Sequence, residues 1–583
     1  MYVDDALGIS NPQVGVRSAT LPHAGGYYTL YGGDGGSGAA RAFRDAPPQP
    51  LAPASLSAGA SVYSRLGASA CALDFNGDGV ADLALGAPAA GWAWAASPHE
   101  EAPLFFYQGR VEVFFGVRGA GLPPSGAAPS VVLLPNSNLT FLGASLACDA
   151  DLSGDGLPDL VVGSPLAAGP GGAVEAGRVN VFFSGAGWGA ATTPPPLRPL
   201  AATLDAANFS AVGAHPFSLL GASVAGFADA SALGLGLAGG DDAVALFGGV
   251  GSAPPSSACS AERLAVAALG WGAAVSGGAP SLLLVGAPGA REEDAERGYA
   301  RVGALLAYLL PPPGSPAARL AAACRRDAPP APLFSITSGR DLAVAPMKTT
   351  KLGASVAVGL PFGPAGAPHI ALGMPCVDFC GSSSVLPGPV NRSLFNTSAG
   401  AVLVLPLSPA LRGDLSYAAV AVEGAPFFPR AALHSALPDA RFGARLGWAA
   451  LLPGARGSGG GVQDLVVGAP QYTRLFIGAP PAGDSGRETG ALFVFPGGAA
   501  FPRGRFCGAE GAAAVFAEGP VEHGRFGSSW AVGLWGVTPS LMVGAPRAGV
   551  AVAPQVGGVG DTTAEYGGAV CVFDLQGLNV TRV

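Results

Sequence analysis

A turn of small residues ahead of an apolar strand recurs along this chain and constrains its fold more than any other feature. LGAS stands at 66–69, 142–145, 220–223 and 352–355, LGWG at 269–272, FGAR at 442–445 and FGSS at 526–529, which makes seven starts. All but the third lead to an apolar strand closed by a Gly-x-Pro turn: Gly86-Ala87-Pro88, Gly163-Ser164-Pro165, Gly286-Ala287-Pro288, Gly373-Met374-Pro375, Gly468-Ala469-Pro470 and Gly544-Ala545-Pro546. A further strand follows a glycine in GRVEVFFG at 109–116, GRVNVFFSG at 177–185, GAVLVLPL at 400–407, GALFVFPG at 490–497 and GAVCVFDL at 568–575, with VGALLAYLL at 302–310 in the same place. These pieces alternate with the period of two that strands show. The starts are separated by 76, 78, 49, 83, 90 and 84 residues, and a four-stranded propeller blade needs only about 40–50. Each unit is therefore a blade with loops, and the absence of amphipathic helices argues against a helical solenoid. The pattern predicts an all-β chain, a seven-bladed β-propeller over residues 61–583. Residues 1–60 read as an N-terminal segment and linker, with GGYYTLYGG at 25–33 one strand that belongs to no blade. SVYSR at 61–65 is the candidate for the outer strand that closes the ring.

Composition agrees with a folded, turn-rich protein. The 583 residues include 91 Gly and 54 Pro, 49% are apolar and only 12% are charged, which is too apolar for a disordered chain. A formal net charge of −8 offers no basic stripe for nucleic acid. The uncharged run from Leu264 to Ala290 has the length of a membrane span, but Pro280 and Pro288 and the SGGAP break divide it into LAVAALGWGAAV and SLLLVGAP, a buried hairpin. No transmembrane segment is expected. MYVDDALGIS lacks the basic and apolar regions of a secretory signal. Against that stand five N-x-[ST] sequons, at Asn138, Asn208, Asn391, Asn396 and Asn579, where chance would give about one. A glycosylated, secretory or extracellular chain is expected, and its start reads as that of a fragment. Of the eight cysteines, Cys71 and Cys148 occupy matching strand positions and read as buried thiols. Cys376–Cys380 and Cys259–Cys324 are candidate disulfides whose connectivity sequence does not give.

One motif carries metal chemistry. DFNGDGVAD puts oxygen ligands at positions 1, 3, 5 and 9, namely Asp74, Asn76, Asp78 and Asp82, with the Val80 carbonyl at position 7. Calcium wants six to eight hard oxygens on a tightly curled loop, and Gly77 and Gly79 allow the curl. An EF-hand would need Glu at position 12, but Leu85 stands there, inside a strand, so the loop belongs to a β-hairpin. DLSGDGLPD repeats it with Asp151, Ser153, Asp155, the Leu157 carbonyl and Asp159. Two Ca²⁺ sites are expected, the serine making the second weaker. The alternative is an Asx-Gly turn capped by its own side chains without metal. Elsewhere the acids thin out: the sixth unit keeps only Asp464 at the position of Asp82, the fifth has His369, and the third has Asp229, Asp241 and Asp242 without the spacing. The six histidines are isolated, no GxSxG elbow occurs, GLGLAG at 234–239 has no βαβ setting, and Arg412-Gly413-Asp414 reads as a chance adhesion tripeptide. No set of residues qualifies as a catalytic site.

The LG or FG start, the D-x-[DN]-x-D-G-x-x-D loop, the GAP turn and the G-[AR]-V-x-V-F strand together resemble the FG-GAP repeats of integrin α-subunits. Over about residues 60–583 the chain more closely resembles the C-terminal part of the glycosylphosphatidylinositol (GPI)-specific phospholipase D family. SRLGASACALDFNGDGVADLALGAP, LDAANFSAVGAHPFSLLGAS, FSITSGRD ahead of KLGASVAV, and GRFGSSWAV occur in that family's order. The resemblance implies a seven-bladed FG-GAP propeller with calcium held by the ligands named above. It also implies a Zn²⁺-dependent catalytic domain, rich in histidine, that cleaves the inositol phosphate–lipid bond of GPI anchors. Only 65 residues precede Leu66 and they hold one histidine, so no catalytic residue carries over, and whether the chain acts as an enzyme is left open. Three readings follow: a calcium-stabilised scaffold or binding module whose catalytic partner lies upstream or on another chain; a stand-alone integrin-like protein that binds a GPI-anchored or other extracellular protein; and, least supported, a hydrolase in its own right.

Overall fold

The computed structural model describes residues 64–91, 108–118, 128–190, 199–228, 281–294, 298–301, 303–310, 332–337, 350–364, 366–377, 398–408, 431–437, 439–452, 461–473, 488–519, 523–535 and 538–547, with short pieces at 26–29, 55–58, 411, 413–416, 550–551, 563–564 and 569–574 and residue 122. These form an all-β protein whose repeats build sheets of one pattern, antiparallel in strand order one to four.

Sheet I contains Ser69–Leu73, Asp82–Ala87, Arg110–Phe114 and Val131–Leu134, and sheet II contains Ser145–Ala147, Leu160–Ser164, Arg178–Phe182 and Phe209–Val212. Sheet III contains Ser223–Phe227, Ser281–Ala287, Ala304–Leu310 and Phe334–Thr337, and sheet IV contains Ser355–Gly359, His369–Met374, Ala401–Pro406 and Ala431–His434. Sheet V contains Arg445–Ala449, Asp464–Ala469, Ala491–Phe495 and Val515–Glu518, and sheet VI contains Ser529–Trp535, Thr538–Ala545 and Ala569–Asp574. The strand that follows the start at 220 pairs directly with Ser281–Ala287, Val224 opposite Val285, so the units counted from 220 and 269 meet in one sheet. LGWG at 269–272 lies outside the described residues. Gly26–Thr29, expected as a lone strand, pairs with Ser55–Ala58; the stretch read as linker thus holds a strand. SVYSR falls mostly outside the described residues.

In sheets II to V both faces of the second strand are covered, which is why these strands read as unbroken apolar runs rather than alternating ones. Leu160–Ser164, Ser281–Ala287, His369–Met374 and Asp464–Ala469 are buried at every position. Five apolar cores each join two consecutive sheets. Val111 and Val113 meet Leu160 and Phe182 between I and II, and Val179 and Val181 meet Leu283 and Val285 between II and III. Leu282 and Leu305 meet Ile370 and Leu403 between III and IV, Val402 and Val404 meet Leu465 and Phe493 between IV and V, and Val466 and Val494 meet Leu541 and Val543 between V and VI.

Hydrogen bonds repeat with the cores. The serine of each start donates to the carbonyl of the next sheet's start glycine: Ser69 to Gly143, Ser145 to Gly221, Ser223 to Gly353 and Ser355 to Gly443, each at 2.7 Å. In sheet V the residue is Arg445, whose Nε donates to Ser528 O at 3.1 Å instead. This seam explains the glycine of the GAP turn. A Cβ on Gly86 would lie 2.1 Å from Gly143 O and 2.2 Å from Ser69 Oγ, and Gly163, Gly286 and Gly373 meet the same pair of atoms at 1.9–2.3 Å. The residue before each start is a non-glycine with positive φ: Arg65, Phe141, Leu219, Lys351, Arg441 and Arg525 lie between 52° and 58°.

The connection between the third and fourth strands of one sheet also clasps the sheet before it. Leu200–Thr203, Gly413–Ser416 and Gly504–Cys507 add parallel fifth strands to sheets I, III and IV. Gly413 and Asp414 of the Arg-Gly-Asp tripeptide fall in one of these clasps, where Asp414 Oδ1 accepts from Ser335 Oγ at 2.6 Å; Arg412 lies outside the described residues. No helix among the described residues is long and apolar enough to cross a membrane.

Candidate metal centre in two hairpin loops

Each oxygen-rich loop joins the first strand of its sheet to the second, and Leu73 pairs with Asp82 where the first loop closes. Gly77 and Gly79, at φ +74° and +79°, turn the chain back on itself. Asp74 gathers the loop: its Oδ1 accepts the N–H groups of Gly77 and Asp78 at 2.8 and 3.0 Å, and its Oδ2 that of Gly79 at 2.8 Å. Asp78 Oδ1 accepts Val80 N–H at 2.9 Å, Asp78 Oδ2 accepts from Asn76 Nδ2 at 3.0 Å, and Asn76 Oδ1 accepts Asp78 N–H at 3.2 Å.

The second loop repeats the arrangement. Asp151 Oδ1 accepts from the Gly154 and Asp155 amides and from Ser153 Oγ at 2.5, 3.2 and 3.3 Å, and Oδ2 accepts Gly156 N–H at 2.7 Å. Asp155 Oδ1 accepts Leu157 N–H at 2.9 Å.

The ninth position does something the sequence did not suggest. Asp82 is 1% exposed; its Oδ2 accepts from the Phe75 and Asn76 amides at 2.9 and 3.3 Å, and its Oδ1 from Gly116 N–H, at the end of the third strand, at 2.8 Å. Asp159 does the same with Leu152, Ser153 and Ser184 at 2.8, 2.7 and 2.9 Å. Asp464, in a loop stripped of the other acids, does it with Leu451, Leu452 and Gly497 at 2.9, 2.8 and 2.8 Å. This carboxylate therefore clamps hairpin to third strand whether or not the other ligand positions are present. Burial pushes the Asp82 and Asp159 carboxyls up to about 6 against the opposing pull of those three amides.

His369, at the equivalent place in sheet IV, is buried and hydrogen-bonded through Nδ1 to Ala367 O at 2.8 Å; the carbonyl can only accept, so Nδ1 carries the proton. Asp229, Asp241 and Asp242 lie outside the described residues.

The donor set suits a hard divalent cation. Each loop offers only oxygen, with the Val80 and Leu157 carbonyls at position 7. Among the described residues no Lys or Arg is ion-paired to Asp74, Asp78, Asp82, Asp151, Asp155 or Asp159. Each loop thus gathers three carboxylates within nine residues with no ion-paired cation among the described residues. Their oxygens rest on the loop's own amides, and no cluster of three or more Asp, Glu, His or Cys side chains is drawn together as a ready metal cage among the described residues. Asp74 Oδ2, Asp78 Oδ1, Asp151 Oδ2 and Asp155 Oδ1 each accept a single amide, which leaves a lone pair for a cation, whereas Asp74 Oδ1, Asp82 Oδ2, Asp151 Oδ1 and Asp159 Oδ2 accept two or more donors.

Cys71 and Cys148, read from sequence as buried thiols, instead form a disulfide across 77 residues, their Cα atoms 6.1 Å apart. The matching places of the two cysteines at the ends of neighbouring first strands were the available signal. Of the sequons, Asn138 and Asn208 are exposed; Asn138 Oδ1 accepts from Gln108 Nε2, and Asn208 Oδ1 accepts Phe183 N–H at 2.8 Å. Asn391, Asn396 and Asn579 lie outside the described residues.

Residues 66–111 and 142–182, which contain both loops, match the FG-GAP repeat. The chain is 36% identical over 162 residues to phosphatidylinositol-glycan-specific phospholipase D of Bos taurus and to that of Homo sapiens, and 36% identical over 163 residues to that of Rattus norvegicus. In each case the match covers 28% of this chain and 16% of the relative.

Proposed function

We propose that this chain is the calcium-stabilised FG-GAP β-propeller module of an extracellular protein related to GPI-specific phospholipase D, in which it acts as scaffold or binding module. The observation that carries the reading is the pair of consecutive oxygen-rich loops, built alike at the first, fifth and ninth positions within the residues that match the FG-GAP repeat. Asp74, Asn76, Asp78, Asp82 and the Val80 carbonyl would hold one Ca²⁺, and Asp151, Ser153, Asp155, Asp159 and the Leu157 carbonyl the other. Calcium would supply positive charge to these carboxylates and would fix the hairpin ends.

Second strands covered on both faces in sheets II to V, and sheets joined in sequence by five cores and by repeated serine-to-carbonyl bonds, support a radial ring; the ring proposed has seven blades, six of them the sheets described. The inter-sheet disulfide and the exposed sequons Asn138 and Asn208 support an oxidising, extracellular setting. The relatives' phospholipase activity would belong to a catalytic domain outside these sheets. The adhesive reading gains nothing from the Arg-Gly-Asp tripeptide, because its glycine and aspartate are tied into a clasp strand.

Thermal unfolding with and without calcium tests the proposal. Adding Ca²⁺ to chelator-treated chain should raise the midpoint, with about 2.7 kcal/mol gained per site at a hundredfold excess over Kd. The shift should vanish in the Asp74→Ala/Asp151→Ala variant. An identical melt with EDTA and with calcium would remove the metal from the reading. In parallel, the purified chain with added zinc should not cleave a GPI-anchored substrate; robust turnover would overturn the assignment as a non-catalytic module.

A further inference from the structure

The two loops do not stand apart. Phe75, between ligand positions Asp74 and Asn76, is fully buried, and besides its contacts in sheet I it reaches the segment that follows the third strand of sheet II. Its ring stacks on Trp188 with centroids 4.7 Å apart, and Trp188 meets Phe182 edge to face at 6.1 Å. Its carbonyl accepts Gly185 N–H at 2.9 Å. The neighbouring residue, Ser184, gives its N–H to Asp159 of the second loop at 2.9 Å and its hydroxyl to Pro158 O at 2.5 Å. Residues 184–188 thus touch the first loop through one end and the ninth ligand position of the second through the other.

A second contact runs beside the first. Leu157, whose carbonyl is position 7 of the second loop, packs its side chain on Gly77 of the first: a Cβ added at Gly77 would lie 3.2 Å from Leu157 Cδ1 and 3.3 Å from Gly185 Cα. A third is covalent, since the Cys71–Cys148 disulfide ties together the strands that lead into the loops, each cysteine three residues before its loop's first aspartate.

We infer that the two loops bind calcium with positive coupling, transmitted through Ser184–Trp188 and the Leu157–Gly77 contact and held in register by the Cys71–Cys148 disulfide. This rests on the calcium reading proposed above. A cation in the second loop adds bonds to Asp159, already held by the Ser184 amide, and to the Leu157 carbonyl, which further restrains residues 184–185 and the surface under Gly77. The first loop then loses less freedom when it binds, and a site that has less ordering left to do binds more tightly. Coupling being reciprocal, filling the first loop must favour the second by the same factor. Trp188, Ser184 and Leu157 are positioning residues here, with no side-chain atom of theirs offered to the metal.

Calorimetric titration of the chain with Ca²⁺ tests this, using one exposed ligand variant and variants of the contacts between the loops. Asp155→Asn disables the second loop at an exposed site. It should weaken calcium binding at the first by about fivefold or more, the lower end of typical coupling. Trp188→Ala leaves every ligand in place and should bind two calcium ions with the coupling reduced, so that adding Asp155→Asn to it changes first-loop affinity little. The Cys71→Ser/Cys148→Ser chain should behave in the same direction. Two calcium ions bound with first-loop affinity unchanged by Asp155→Asn would overturn the coupling and leave the calcium reading standing. No binding heat, confirmed by an unchanged calcium content after dialysis, would overturn both.

Discussion

The hairpin ends of sheets I and II and those of sheets IV and V solve one problem with different chemistry. In every antiparallel hairpin of this length, amides at the turn and at the end of the adjoining strand need acceptors. Sheets I, II and V share the answer at the ninth position, a buried aspartate that accepts three backbone N–H groups. They part company in what surrounds it. Around Asp82 and Asp159 lie further carboxylates and the two glycines that curl each loop. Between sheets IV and V the space is filled by rings: Phe362 meets His369 and Phe501 at 5.2 and 5.9 Å, Phe501 meets Trp448 at 5.9 Å, and Arg503 lies 5.8 Å over Phe362. The comparison separates two roles that one motif combines. The ninth aspartate is a structural clamp; the acids at the first and fifth positions are what a metal adds a use for.

The largest expected effect comes from removing the shared clamp. Asp464→Ala leaves three amides without their acceptor and should cost roughly 3 kcal/mol or more, with the loss the same in calcium and in EDTA. Asp82→Ala should cost as much and should also remove the calcium response of its loop. Chemical denaturation of both variants under both conditions checks the pair, and a calcium-dependent loss at Asp464 would break the division of roles.

Next in size is the apolar filling. Trp448→Ala should cost about 2–3 kcal/mol, the low side of aromatic truncation because the ring is only partly buried. Gly359 marks how closely that ring packs, a Cβ there falling 2.2 Å from Trp448 Cγ. The loss should be insensitive to calcium.

Acidity should distinguish the regions as well. Unfolded aspartates titrate near 3.8, and burial puts Asp82 and Asp159 at about 6 in the folded, metal-free chain. Their contribution to stability is therefore fullest below 3.8 and is lost as pH rises through 6. In EDTA, these two residues should make the chain more stable at pH 5 than at pH 7.5, by on the order of 2 kcal/mol together. Calcium, which favours the charged form, should reverse the slope. Melting the parent and the Asp82→Asn/Asp159→Asn variant across that range isolates the term; equal pH slopes in the two would contradict it.

The smallest effect belongs to the seam. Ser355→Ala removes one donor to Gly443 O and should cost about 1 kcal/mol, whereas the same exchange of function is already tolerated in sheet V, where Arg445 replaces the serine. A loss several times larger would mean that the seam, rather than the cores, carries the contact between sheets.

The repeat strands and the hairpin setting of both oxygen-rich loops were legible because they depend on local pattern: apolar runs between small-residue turns, and paired glycines that curl each loop. Features that depend on what a residue meets across the chain were not. Ser223–Phe227 and Ser281–Ala287 are separated by a long stretch, and only their pairing shows that two apparent units share a sheet. The clasp strand Leu200–Thr203 is largely exposed and carries no apolar alternation. The left-handed residues before each start are Arg, Phe, Leu and Lys, so no glycine marks them. Asp464 looked like the remnant of a lost metal loop because sequence shows a ligand type and not the three amides that occupy it.

Equilibrium dialysis of the intact chain against calcium, with metal analysis of the protein, tests the division between the two regions most directly. Two calcium ions per chain are expected, falling to none in the Asp74→Ala/Asp151→Ala variant and staying at two in Asp464→Asn. Calcium retained by the double variant, or none bound by the parent chain, would contradict it.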